Sequence, residues 1–187
     1  MTAYLLTAPT AEPVTLADAK AAARLDGTQW DTIVTAAIVA AREVAEHQTG
    51  RLFMQQTWRI ELEDWPAATD VLGIYRPTSL VVAYWDGSAW AVLNALQYVW
   101  AVSGTGFVLV PAIGATWPDL GDVAAGPRVR VDVTVGAASA AAVPAAAVQF
   151  IKAMVAMIVA DPTLSAKDAA SENPYLPRIL DPLRLYT

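Results

Sequence analysis

The chain has 187 residues, of which 56% are hydrophobic and only 16% charged, and its net charge is −6. That length suits one domain, or one domain carrying an inserted subdomain, and buries a core without metal or disulfide help. An average globular chain is roughly 25% charged, so the apolar excess points to surface covered by partner subunits, with a merely alanine-rich monomer as the alternative.

There is no cysteine, which excludes a disulfide framework, thiolate metal sites and a cysteine nucleophile. No basic run occurs, so phosphate-driven nucleic-acid binding is not supported. Met1–Leu6 lacks the basic and apolar regions of a signal peptide. The longest apolar stretch, Val143–Ala160, is interrupted by Gln149 and Lys152. It falls short of the about 20 residues a membrane span requires and reads as a buried helix.

The chain changes character twice. Residues 1–54 read helical, 55–136 read as strands and turns, and 137–187 read helical again. Thr15 is placed to cap a first helix running to about Leu25, with Asp18 in its positive first turn. A second helix, about 30–48, repeats Trp30, Ile33, Val34, Ala37, Ile38, Ala41, Val44 and Ala45 at helical spacing, with Asp31, Thr35, Arg42 and Glu46 largely on the other side. Gly50 ends it by taking the left-handed conformation.

From Gln56 the period switches to two: Trp58, Ile60 and Leu62 alternate with Arg59, Glu61 and Glu63. Further strands are expected at 71–75, 79–85, 89–93, 97–102 and 106–110, with Asp86-Gly87 as a hairpin signal. Arg128–Val133 is a second clean alternation. The strands suggest a small antiparallel sheet or barrel. Val143-Pro144 then opens a last long helix. It presents Ala147, Phe150, Ile151, Met154, Val155 and Ile158 on one face, and Val148, Ala153, Met157 and Val159 elsewhere. A helix apolar nearly all round is buried on more than one side. It is expected to pack against the second helix, through Trp30, Ile33, Val34 and Ile38 on one side and Phe150, Ile151, Met154 and Ile158 on the other, with subunit packing as a further use of the same faces. Residues 163–174 read as a flexible loop. The apolar, proline-punctuated tail 175–187 gains nothing in water and should dock against something.

No constellation for catalysis emerges. The single histidine, His47, suits the end of a helix dipole better than a metal site. Glu61, Glu63 and Asp64 read as a solvated strand face; a glycosidase pair is the minor alternative. Gly104-Thr105-Gly106 is too short for a dinucleotide fingerprint and reads as a hairpin turn. Ser165, Ser171 and Thr163 have no histidine to activate them. Six of the seven tryptophans, Trp58, Trp65, Trp85, Trp90, Trp100 and Trp117, fall in the β region. Core and rim packing is their first reading, a subunit interface the second and sugar stacking the third.

The ordered motifs resemble the head-to-tail connector (adaptor) family of tailed bacteriophages and gene-transfer agents. Glu12–Lys20 with Arg24-Leu25-Asp26 is similar to its opening. Ala40–Glu46, Thr49-Gly50-Arg51 and Gln56-Thr57-Trp58 are similar to its second helix and first strand. Arg76-Pro77, Leu80, Val81–Tyr84, Asp86-Gly87, Trp117-Pro118, Arg128–Val133 and Val143-Pro144 continue the order, so that the match spans about residues 12–160. The chain departs from the pattern at Gly136-Ala137-Ala138 and Val159–Pro162.

The resemblance implies an α+β fold: a helical body, 1–54 and 137–187, with an inserted antiparallel β subdomain, 55–136. It implies a structural virion protein made in the host bacterial cytoplasm, not an enzyme, with no cofactor and no membrane. A ring of about twelve copies would sit beneath the portal protein, extend the DNA channel without binding DNA specifically, and present a platform to the tail-proximal stopper or tail protein. In that setting the tail residues Tyr175, Leu176, Arg178, Ile179, Leu180, Leu183, Arg184, Leu185 and Tyr186 are expected to dock onto the portal, residues 163–174 acting as a tether. Glu43 and Glu46 are expected to face an acidic or neutral channel. A tail-completion or stopper-type virion protein is the alternative within the same class. A tryptophan-rich carbohydrate-binding module is the alternative outside it.

Overall fold

The computed structural model describes residues 1–161 and 175–185. The expected loop 163–174 and Tyr186 lie outside the described residues. The fold is α+β. Its elements in chain order are β1 (Thr2–Thr7), α1 (Leu16–Ala23), α2 (Asp31–Thr49), β2 (Gln56–Leu62), β3 (Pro77–Trp85), β4 (Trp90–Val92), β5 (Tyr98–Ser103), β6 (Gly106–Pro111), β7 (Val129–Val135) and α3 (Ala145–Ala160), followed by a 3-10 turn at Pro177–Leu183. The chain divides into two compact units. One holds Met1–Ala8 and Gln55–Gly136; the other holds Pro9–Met54 and the described residues from Ala137 onward.

The helical unit forms for local reasons that the sequence already carries. The Thr15 hydroxyl accepts from the Asp18 N–H at 3.1 Å and starts α1. Gly50, at φ 70°, closes α2 by sending its N–H to the Glu46 carbonyl. Pro144 sits at the cap of α3, where its missing N–H has no helical partner to lose. α2 and α3 pack together, with Val34, Ile38 and Ala41 of α2 and Phe150, Ile151 and Met154 of α3 in one core that also takes in Val14, Ala19, Phe53 and Val143.

The β unit contains a five-stranded antiparallel sheet, ordered β1-β2-β7-β3-β4, and the separate hairpin β5-β6. β7, last of the strands in sequence, lies at the centre, and its Val129, Val131, Val133 and Val135 are all buried. Ile60 and Leu62 of β2 and Leu80 and Val82 of β3 share that buried side, while Phe107 and Leu109 are the buried large side chains of β6. The Tyr98 hydroxyl donates to the Leu80 carbonyl at 2.9 Å and ties the hairpin to β3. The Asp86-Gly87 signal is a four-residue β3–β4 loop in which the Asp86 carboxylate accepts from the Ser88 and Ala89 N–H groups.

Two expectations are corrected. Residues 1–8 do not belong with the helices: Thr2–Thr7 is a strand paired with β2, Tyr4 opposite Arg59. Its partner is more than fifty residues away, and adjacent Leu5 and Leu6 spoil any alternation that would announce it. Residues 71–75 are not a strand either. The Ile74 N–H turns back onto the Leu72 carbonyl at 2.8 Å, leaving a single bridge from Leu72 to Phe107. Gly106 permits that bridge, because a Cβ there would lie 2.0 Å from the Leu72 carbonyl oxygen.

Candidate interaction surfaces

The helix faces expected to pack do so unevenly. Val34, Ile38, Phe150, Ile151 and Met154 are buried, and Trp30 and Ile158 are half-buried. Ile33 is 43% exposed and so adds little to the core; it lies one position to the side of Val34, off the face turned to α3. Val159 is buried as well, one position beyond Ile158.

Glu46 departs furthest from its expected place. Arg42 and Glu46, read as polar-side residues, are both buried. Arg42 donates from Nε to Glu12 Oε2 at 2.8 Å and from Nη1 to Glu46 Oε2 at 2.8 Å. The other oxygen of Glu46 accepts the Phe53 N–H at 2.8 Å. Burial pushes the Glu46 carboxyl above its ordinary range, with the Phe53 N–H and Arg42 pulling the other way. Desolvation works to lower the Arg42 guanidinium, but the hydrogen bond to Glu12 and the charge of Glu46 outweigh it and leave it raised. Both oxygens of Glu46 are thus spent inside the protein, and it presents no charge to a channel. Glu43 remains outward, its side chain 66% exposed.

The tail is largely consumed by its own helical unit. Leu176 and Leu180 are buried in the α2–α3 core, and Ile179 and Leu183 pack against it. The Leu185 N–H bonds the Thr49 carbonyl at 2.9 Å, taking up a carbonyl at the end of α2. Arg184 pairs with Asp181. The nearly all-round apolar surface of α3 explains this: it offers the tail leucines burial within the chain. Tyr175, 71% exposed, and Arg178, whose guanidinium lies 5.5 Å from the Tyr175 ring centre, stay on the surface.

On the β unit, the sheet face opposite the buried valines is a ladder of charge and aromatic rings. Arg59 grips Asp132 through two nitrogens at 2.7 and 2.8 Å, and that hydrogen bonding raises the Arg59 pKa still further. Glu61 accepts from Arg130 at 3.1 Å and from the Tyr4 hydroxyl at 3.2 Å. The Arg130 guanidinium stands 3.8 Å from the centre of the Trp90 ring, which meets Trp85 edge-on. Asp64 pairs with Arg128, while Glu63 is exposed.

The six clustered tryptophans are all half-buried and engaged. Trp65 and Trp117 stack at 4.5 Å and 5°, and the Trp65 indole N–H donates to the Pro118 carbonyl. Trp58 donates to Gln56, Trp85 to the Asp122 carbonyl, and Trp100 meets Phe107 edge-on. Rim packing within the unit accounts for them.

Among the described residues no group of three or more histidine or acidic side chains is placed to hold a metal, and no helix is long and apolar enough to cross a membrane. Exposed apolar side chains instead gather on strand edges and turns: Tyr4, Leu5 and Leu6 on β1, Val99 and Val102 on β5, and Leu96 and Ile113 on turns joined by the Ala112 N–H to Gln97 carbonyl bond.

No protein-family model and no curated protein matches the sequence. Solved structures do match. A chain in the neck of an empty GTA particle, computed with C6 symmetry, superposes with a TM-score of 0.78 at 20% identity, over 100% of this chain and 97% of that one. A chain in the virion of a native gene transfer agent particle gives 0.76 at 20% identity with the same coverage. One in the neck of the native particle, computed with C12 symmetry, gives 0.72 at 19%, again over 100% and 97%. At that identity the likeness is one of fold, and the fold of this chain, helices and sheets together, is that of a protein chain found in gene transfer agent particles.

Proposed function

We propose that this chain is a structural neck protein of a phage-like particle, the head-to-tail adaptor that forms a ring beneath the portal and continues the DNA channel toward the tail. The observation that carries the reading is the end-to-end fold likeness to a chain in a symmetric particle neck. The charge balance fits: with net −6 per copy, DNA slides past a repelling or neutral wall. Glu43 is the acid of α2 available for that wall. Portal docking is assigned to the exposed edge of the tail, Tyr175 and Arg178, since the leucines behind them are spent on the chain's own core. The side-chain chemistry agrees with a structural role, because the carboxylates read as a catalytic pair are tied up or solvated and the clustered tryptophans are engaged within the β unit.

Electron microscopy of the purified protein, alone and with portal-bearing heads, tests the reading. Rings of about twelve copies seated on the portal are expected. A protein that stays monomeric and fails to join heads overturns it, and a particle that seats it one layer further from the portal makes it a stopper. A ring with a bore lined by lysine and arginine refutes the channel assignment. The double variant Tyr175→Ala, Arg178→Glu should stay folded and lose portal binding; unchanged binding removes the docking assignment.

A further inference from the structure

Sheet edges carry unpaired N–H and C=O groups, and proteins protect them by brevity, charge, proline or a covering segment. The β unit has four edges. β4 is only three residues long. β6 is covered at Phe107, where the N–H and carbonyl are both bonded to Leu72. The other two are different in kind. β1, Thr-Ala-Tyr-Leu-Leu-Thr, and β5, Tyr-Val-Trp-Ala-Val-Ser, are each six residues long and hold neither charge nor proline. Each pairs on one side only among the described residues, β1 with β2 and β5 with β6. All six residues of β1 are exposed, Leu5 and Leu6 at 43% each, and on β5 Val99 and Val102 are 51% and 46% exposed.

Resting on the ring reading above, we infer that the β1 edge of one copy pairs with the β5 edge of the next, so that the β units join by backbone hydrogen bonds around the ring. A closed ring needs two different, mutually complementary faces on every subunit, because its contacts are head-to-tail. Two unlike, uncharged edges of equal length meet that demand, and a long edge with neither charge nor proline is a ready template for another strand. Pairing β1 with β1 would instead give a two-fold dimer and stop there. Apolar rows on both edges add side-chain burial to the hydrogen bonds.

The absence of cysteine makes the test direct. The paired variants Leu5→Cys with Val99→Cys, and Leu5→Cys with Ala101→Cys for the neighbouring register, are oxidised mildly after assembly and run without reductant. A ladder of covalent multimers is expected from at least one pair, while Leu5→Cys alone and Val99→Cys alone stay monomeric on the gel. Leu5→Lys and Val99→Lys, each folded by circular dichroism, should both lose the ring. Rings that form without a ladder in either register, or that survive both lysine variants, overturn the edge pairing and leave the ring reading standing. Dimers from Leu5→Cys alone overturn it in favour of a two-fold contact. A wild-type protein that forms no ring, with or without portal, takes the ring reading down and the edge pairing with it.

Discussion

Arg42 reaches thirty residues back along the chain to Glu12, Nε to Oε2 at 2.8 Å, while its Nη1 holds Glu46 one helical turn ahead at the same distance. The guanidinium therefore clamps the segment before α1 onto α2, and through Glu46 it also fixes the backbone at Phe53. Removing it strands the two carboxylates it hydrogen-bonds, Glu12 and the buried Glu46, and ends its looser pairing with Glu43 at 3.8 Å. Arg42→Ala should cost about 3 kcal/mol in urea unfolding. Arg42→Lys should recover only part, because a point charge cannot serve both partners in the fork geometry. Equal stability of Arg42→Ala and wild type would show the cluster to be idle.

Glu46 gives that cluster a pH signature. Burial raises its folded-state pKa above the ordinary 4.5, so the native protein binds this proton more tightly than the unfolded chain does. Its contribution to stability is full below the unfolded value and is lost as pH rises through the native one. Glu46→Gln removes the titration and keeps an acceptor for Phe53. The stability advantage of wild type over this variant should shrink as pH rises from about 4 toward neutrality. Urea midpoints measured across that range decide it, and an advantage that grows with pH contradicts the assignment.

Phe150 and Leu180 meet in one core although one lies in α3 and the other in the tail. Phe150→Ala should cost ~3–5 kcal/mol and Leu180→Ala ~2–5 kcal/mol, whereas Tyr175→Ala should leave thermal stability almost unchanged. A Leu180→Ala protein as stable as wild type would mean that the tail does not dock on its own body.

Gly106→Ala is the sharpest small change available. Its new methyl would meet the Leu72 carbonyl oxygen at 2.0 Å, so the bridge must open or the hairpin must shift. A loss of about 1–3 kcal/mol is expected, together with faster amide exchange at Phe107. Retained protection at Phe107 would show that the backbone yields elsewhere.

What the sequence made legible was local. The Thr15 cap, the Gly50 stop, the Arg128–Val133 alternation and the turn at Gly104 are each set by neighbours a few residues away, and each finds its counterpart in the fold, the alternation as the strand Val129–Val135. Their order also carried the resemblance to the connector family. What stayed hidden was set by distant partners. Nothing near Arg42 says that Glu12 will reach it, so an arginine grouped with Asp31, Thr35 and Glu46 on the side of the helix away from the apolar stripe read as surface. Leu176 and Leu180 announced a need for burial but not which surface would provide it. β1 has no pattern of its own and exists because β2 offers an edge.

The position of β7 has a consequence for how a copy comes into being. The sheet is knit around its last strand, and the helical core waits for α3 and the tail, so the two units are interleaved along the chain. A ribosome that has released the first hundred residues has made neither. β2 and β3 have each lost the neighbour that stands between them, and α2 has its apolar stripe facing water. Such long-range closures are slow and leave partly made chains prone to stick. Synthesis thus yields finished copies or none, and a nascent chain stalled before residue 129 should be protease-sensitive throughout.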